Sequence, residues 1–293
     1  MDKKTITNQI NYLETLQKLT ESYAEISSGR MKKVRSSVLL TRDFLERLSE
    51  IFTEVRNSYR KEVAKLAKNK KDKETITFLG HNGKTVSVFL SANTGLYGDL
   101  MQKTFRKFME EVNSTTNEVT LIGRLGLSLF LSLKPNSPYT YFDYPDYGSD
   151  KDKMAEIIRH LVQYEAIRVH FGKFRNVVVQ EPNVFDINAQ SPLTNQFENM
   201  GAKEEVKYIF EPTLEQILKF FETEMFSSVF EQALNESQLA KFASRMLAMD
   251  RASLNIKENI KGVMVERLRL THRLMNRKQL NSLSGIFANG YLK

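Results

Sequence analysis

Apolar residues recur at alternating steps of three and four along the first part of the chain. From Ile10 the steps land on Ile10, Leu13, Gln17, Thr20, Ala24, Ser27, Met31, Val34, Val38, Thr41, Leu45, Leu48, Phe52, Val55, Tyr59, Glu62 and Leu66, and 12 of these 17 are apolar. A 3-4 spacing sustained this far is a coiled-coil seam. Residues 5 to about 68 contain no proline and only Gly29. At the helical rise of 1.5 Å per residue, such a stretch predicts a rod of roughly 90 Å. A second apolar stripe, Leu16, Leu19, Tyr23 and Ile26, lies off the seam and predicts a contact beyond the helix partner.

The last third repeats the pattern. From Phe242 the same stepping gives Phe242, Met246, Met249, Ser253, Ile256, Ile260, Val263, Arg267, Leu270, Leu274 and Arg277, of which 8 of 11 are apolar. Thr213 is placed to cap this helix, with Glu215 and Gln216 in its first turn. Ser284-Gly285 reads as its stop. Each long helix buries its seam most simply by pairing antiparallel with the other. That pairing sets Met246, Met249, Ile256 and Ile260 against the first helix, with residues 10–35 beside 255–285.

Between them the texture changes. Residues 68–74 form a charged linker. Thr75–Leu79 and Thr85–Leu90 read as strands flanking the turn His81-Asn82-Gly83-Lys84. A helix is expected over 99–112, strands over Glu118–Ile122 and Leu127–Leu133, a loop from Pro135 to Asp150, and a helix over Met154–Gln163. Ala166–Phe171 and Arg175–Gln180 are β-branched runs, and residues 181–207 read as polar and irregular. Strands alternating with helices predict a small, mainly parallel sheet. The fold class is therefore mixed α+β: a long antiparallel coiled coil of the N- and C-terminal helices around a central Rossmann-like α/β domain. The segments are 1–68 and 208–293 for the coiled coil and 75–207 for the α/β domain.

Composition narrows the chemistry. The 293 residues include no cysteine, which excludes disulfides, thiolate metal sites and cysteine nucleophiles and suits a reducing compartment. Six prolines and 13 glycines are few for this length and favour long helices. No apolar run approaches the ~20 residues that span a bilayer, so no direct membrane insertion is expected. Ser91 to Gly98 follows a strand and precedes a helix, where phosphate loops sit. It lacks the lysine and Ser/Thr of a nucleotide loop and is not G-x-G-x-x-G, so it reads as a tight turn. Glu156 and His160 sit at i,i+4 and read as a surface pair. Asp143, Asp146, Asp150 and Asp152 lack calcium-loop spacing and read as a solvated loop. No catalytic, cofactor or metal site emerges.

The net charge is +8. Arg30, Lys32, Lys33 and Arg35 of the first helix, and Lys257, Lys261, Arg267, Arg269, Arg273, Arg277 and Lys278 of the last, are expected to share one end of the rod. Aromatic residues are not interleaved with them, which weighs against nucleic acid.

Several segments then carry a resemblance. Tyr208-Ile209-Phe210-Glu211-Pro212, before an amphipathic helix, resembles the Y-[IL]-[FY]-E-P segment of the gamma subunit of F-type ATP synthases. Glu236-Ser237, then Ala243-Ser244-Arg245-Met246-Leu247-Ala248-Met249-Asp250 with Ala252 and Asn255, is similar to that family's E-S…A-A-R-M-x-A-M signature. Ser284-Gly285 matches its terminal S-G. Gln17-Lys18-Leu19-Thr20, Ser91 to Gly98, His170-Phe171-Gly172-Lys173-Phe174 and Gln180-Glu181-Pro182 extend the likeness over nearly the whole chain, in order.

The resemblance implies a rotor shaft turning inside three alpha and three beta nucleotide-binding subunits. It implies a non-catalytic subunit of a proton-translocating complex, peripheral on the cytoplasmic face of the membrane. Its foot would dock on an epsilon-like subunit and a membrane ring through Tyr208, Phe210 and Glu211. Contacts to the catalytic subunits fall on Tyr23, Thr271, His272, Asn276 and Lys278. Here the chain departs from the family's R-Q-x-x-[IV]-T-x-E segment, and one glutamate becomes Lys278. A specialised F-type-like ATPase without a proton ring, or a coiled-coil scaffold that does not turn, are the alternatives.

Overall fold

The structure is a computed structural model that describes residues 2–58, 82–188, 211 and 213–290. The elements, in chain order, are α1 (Lys3–Ser58), β1 (Thr85–Leu90), α2 (Leu100–Ser114), β2 (Glu118–Ile122), α3 (Arg124–Leu133), β3 (Thr140–Phe142), α4 (Lys151–Leu161), β4 (Ala166–Phe174), β5 (Gln180–Asn188) and α5 (Leu214–Gly290). They fall into two compact units, residues 1–27 with 245–293, and residues 28–244; α1 and α5 contribute to both.

In the first unit α1 and α5 pair antiparallel. Ile6 and Ile10 are buried against Val263, with Leu13 and Leu270 packed on them. Farther along α1, Glu21 meets Lys257 at 3.1 Å and accepts from Ser253 Oγ at 3.3 Å. Partners on α5 thus move down the sequence as those on α1 move up. Ala24 and Ser27 complete the buried α1 seam; Met249, Ser253 and Ile260 are buried on α5, and Met246 and Ile256 half-buried.

This register corrects the expectation that residues 10–35 lie beside 255–285. Ile10 faces Val263, so Lys3 is level with about residue 270 and α5 runs on past the start of α1. Every residue from His272 to Gly285 is accordingly exposed. The expected stop at Ser284-Gly285 is absent, since α5 continues to Gly290. A Cβ at Gly285 would meet nothing, and Ser284 Oγ bonds back to Leu280 O at 2.9 Å, a helical bond.

The second unit is a five-stranded sheet of order β3-β2-β1-β4-β5. β1 pairs parallel with β2 and β4, and β2 with β3; only β5 runs antiparallel, to β4. β1 is covered on both faces, which is why Val86 to Leu90 are all buried. Its odd-numbered Phe89 packs with Phe105, Phe108 and Phe130 of α2 and α3. Val86, Val88 and Leu90 face α4, through Ile157 and Leu161, and also Leu45 of α1 and Phe226 and Phe230 of α5. On α1, Val34 and Val38 pack on Leu239 and Phe242 of α5.

Four expectations fail here. Leu127–Leu133 is helical: its alternating Leu and Ser mimic a strand, but Gly126 and Phe130 are the buried pair, at helical spacing. Leucine is also a strong helix former. Within the 135–150 loop, Thr140–Phe142 adds a short edge strand. Arg175–Val179 is a turn, because the Asn176 side chain accepts from Val178 N and Val179 N at 2.9 and 2.8 Å. The strand follows it as β5, which occupies 180–188 of the stretch read as irregular. Thr75–Leu79 lies outside the described residues.

Candidate functional site

In doubly wound sheets ligands bind beyond the carboxyl ends of the strands, where the chain winds off in both directions. Here that place lies at the end of β1, between β2 and β4. The following segment, Ser91 to Gly98, turns tightly into α2, with Leu96 at φ +69° and Gly98 at φ +56°. Its backbone amides at Asn93 and Thr94 converge on one anion, as those of a phosphate cradle do.

They are already occupied by the protein's own anion. Asp146 accepts from Asn93 N at 2.7 Å, from Thr94 N at 2.9 Å, from Thr94 Oγ1 at 2.7 Å and from Tyr97 OH at 3.1 Å. The Asp146 side chain is 12 % exposed, so the acidic cluster is not the solvated loop that its spacing suggests. Asp143 joins it, accepting from Asn93 Nδ2 at 2.7 Å and meeting Arg124 at 3.4 Å.

Helix α5 closes the arrangement. Lys241, 6 % exposed, donates to Ser91 O at 2.9 Å and stands 3.9 Å from Asp146. Ser244 Oγ donates to Tyr97 O at 2.7 Å, and Gln238 Nε2 to Gly148 O at 2.9 Å. Burial pushes the Asp146 carboxyl up, but the Lys241 charge and the hydrogen bonds from Thr94 and the amides outweigh it and hold it low. The loop, the acidic segment and α5 are thus fastened by one buried ion pair and its hydrogen bonds.

The loop also needs glycine beneath it. Ser91 Oγ donates to Ile122 O at 2.8 Å and accepts from Gly126 N at 2.9 Å. A Cβ on Gly126 would lie 2.5 Å from that Oγ. Gly123 takes φ +99°, open to glycine alone without strain.

On the other sheet face a second polar cluster surrounds Glu111 of α2. It accepts from Ser87 Oγ at 2.7 Å and meets His170 Nε2 at 3.0 Å and Arg168 at 3.1 Å. Burial pushes the His170 imidazole down, against the Glu111 charge. His160 does not form the expected surface pair with Glu156; its Nε2 lies 3.2 Å from Thr120 Oγ1, and its ring meets Phe142 and Tyr164. Among the described residues no group of three or more His, Cys, Asp or Glu could hold a metal ion.

The rod carries the other candidate residues. Tyr23 is 44 % exposed on α1. Thr271 is half-buried, its Oγ1 donating to Arg267 O at 2.8 Å; His272, Asn276 and Lys278 are exposed. The last four share two turns of α5. Tyr23, level with about residue 251, stands roughly 30 Å down the rod from them. Glu211 is exposed, while Tyr208 and Phe210 lie outside the described residues. The expected basic end is also divided: Arg30, Lys32, Lys33 and Arg35 belong to the second unit, whereas the basic run of α5 belongs to the first. Arg30 is spent on stacking, 5.0 Å over Tyr147 and 5.7 Å over Phe242.

The Lys241 fastening went unseen in the sequence. Its signal is a lysine amid the fully buried run Ala240, Phe242 and Ala243. A cation there needs an anion, and only the fold identifies it as Asp146.

Among the described residues no helix is long and apolar enough to cross a membrane. The sequence profile of the ATP synthase family matches residues 2–270. The ATP synthase gamma chain of Pelotomaculum thermopropionicum is 24% identical over 281 residues, covering 94% of this chain and 91% of that one. That of Ruthia magnifica is also 24% identical, covering 88% and 89%. Among solved structures, a chain of the Tetrahymena thermophila mitochondrial ATP synthase central stalk and c-ring superposes with a TM-score of 0.57 at 19% identity, over 80% of this chain and 99% of that one. One from the Euglena gracilis mitochondrial ATP synthase gives 0.56 at 12% identity, over 89% and 95%. With a profile match over nearly its whole length and relatives that are gamma chains, this chain belongs to the gamma-chain family of ATP synthases.

Proposed function

We propose that the chain is the central rotor shaft of an F-type ATP synthase or ATPase, coupling its rotation to ATP synthesis or hydrolysis in alpha and beta subunits, three of each. The observation that carries this is the antiparallel pairing of α1 and α5 in a compact unit of its own, with α5 running on alone from His272. A shaft must be stiff, and a buried 3-4 seam supplies that. It must also offer surface to a sleeve. Tyr23, Leu19 and Ile26 off the seam, and Leu268, Leu274 and Met275 on α5, are exposed.

Charge supports the same reading. Residues 1–27 and 245–293 hold 13 basic and 7 acidic residues, hence six of the net eight positive charges. The run around Lys278 suits an acidic loop of a catalytic subunit, with Thr271, His272 and Asn276 as its polar neighbours. The foot, at Tyr208, Phe210 and Glu211, meets an epsilon-like subunit and the membrane ring. The chain sits peripherally on the cytoplasmic face and performs no catalysis of its own. Asp146 in the amide cradle supports that, since a phosphate there would displace a bonded carboxylate.

Co-expression with alpha and beta subunits tests the proposal. A stable complex with three copies of each and one of this chain, whose ATP turnover falls when Arg277 and Lys278 are changed to Glu, is the expected result. A chain that stays apart from the hexamer, or an intact complex with unaltered turnover, counts against it.

A further inference from the structure

The second unit contains a cavity of about 410 Å³, between the β4–β5 hairpin and the helices α1 and α5. That volume lies in the range of small-molecule sites, roughly 300–1,000 Å³. Nothing in the shaft reading uses it.

Its floor is apolar: Leu45, Phe171, Val229 and Ala233 are buried, and Phe185 is half-buried beside them. Phe171 and Phe185 stand on neighbouring antiparallel strands and both line the cavity, an apolar aromatic wall for a flat apolar body.

The rim carries four charges, and their pairing decides the ligand. Arg42 and Glu236 face each other at 3.6 Å, and Gln232 Nε2 also donates to Glu236 at 3.3 Å, so that pair is mutually compensated. Lys173 of β4 and Glu46 of α1 remain. Glu46 is exposed and screened by water, whereas Lys173 is half-buried and screened less. Of the two rim charges without a partner across the cavity, Lys173 is therefore the less screened and the stronger anchor for an anion. Glu181, opposite Lys173 in the ladder, is held by Arg175, and Asn183, half-buried on β5, adds an amide donor.

We infer that this cavity binds a small aromatic monocarboxylate, its ring over Phe171 and Phe185 and its carboxylate on Lys173 and Asn183. Bound there, the ligand bridges the β4–β5 hairpin to the two helices and stiffens the second unit. Its lining shares no residue with the proposed contacts to other subunits, and the inference stands whether or not the chain turns inside a sleeve.

The test uses the full chain and three probes of equal shape: 4-phenylbutyrate, 4-phenylbutan-1-ol and 4-phenylbutylamine, titrated by calorimetry. The expected order is acid tightest, alcohol weaker, amine weakest. Lys173→Met should weaken the acid about tenfold and leave the alcohol within about twofold, as loss of one charge-assisted hydrogen bond requires. Circular dichroism of the variant checks its fold. As a second arm, proton NMR transfer from the bound probe should reach the rings of Phe171 and Phe185 in the unaltered chain. Equal binding of acid and amine, tightest binding by the amine, no binding by any probe, or an acid affinity indifferent to Lys173→Met each overturns the inference.

Discussion

Replacing Lys241 with Met removes one charge and keeps most of the apolar stem. In the structure that charge is 3.9 Å from Asp146 and 2.9 Å from Ser91 O, with 6 % of the side chain exposed. At an effective dielectric constant of about 20, the attraction between two such charges is about 4 kcal/mol. Part of that is offset, because the variant no longer desolvates an ammonium, and Asp146 keeps its bonds from Asn93, Thr94 and Tyr97. Breaking a buried pair generally costs ~3–5 kcal/mol. The expected loss is about 3 kcal/mol, at the low end because Asp146 stays hydrogen-bonded. Urea unfolding followed by circular dichroism measures it. In an Asp146→Asn background the same substitution should cost only about 1 kcal/mol, the remaining bond to Ser91 O. If the cost is equal in both backgrounds to within about 0.5 kcal/mol, no pair is present and the fastening is packing alone.

The same carboxylate predicts a pH dependence. Its pKa in the folded chain is below the unfolded value near 3.8, so the stability it contributes is present above that value and is lost as pH falls through the folded one; Asp146→Asn should flatten the acid limb of the stability profile. Ile260→Asp puts a charge into the seam of the first unit, where Ile260 is buried, and should cost several kcal/mol, visible as lower helix content and melting temperature. Gly126→Ala forces a methyl to 2.5 Å from Ser91 Oγ and should cost about 1–3 kcal/mol by urea unfolding; no loss would mean α3 can move away from β1. The isolated chain should show no ATP binding at micromolar concentrations by calorimetry, since Asp146 already holds the amides of Asn93 and Thr94.

The helical seams were the most legible part of the chain. Every α1 position reached by the 3-4 stepping from Ile10 to Val55 is buried or half-buried, and Leu19, Tyr23 and Ile26 are exposed off it. Long repeats average out local exceptions, so a seam survives Gln17, Thr20 and Ser27. The register did not survive, because it depends on where the antiparallel partner starts, which Ile10 against Val263 fixes only in three dimensions. The central unit was half legible. β1, β2 and β4 announced themselves by β-branched runs, whereas α3 disguised its helical face as alternation, and β3 is a three-residue edge carried by pairing with β2. Long-range polar partners were illegible. Asp146 and Lys241 are 95 residues apart, and nothing local in either segment names the other. The residues proposed to meet other subunits depend on surfaces that lie outside this chain altogether.

Direct observation of rotation tests the shaft reading most closely. The chain has no cysteine, so a single Ser132→Cys substitution, at an exposed position of α3 in the second unit, gives one attachment point for a bead. With the alpha and beta hexamer fixed to a surface and ATP supplied, the account predicts unidirectional turning with three pauses per revolution. A bead that stays fixed, or only fluctuates without direction, on complexes shown to hydrolyse ATP would contradict it.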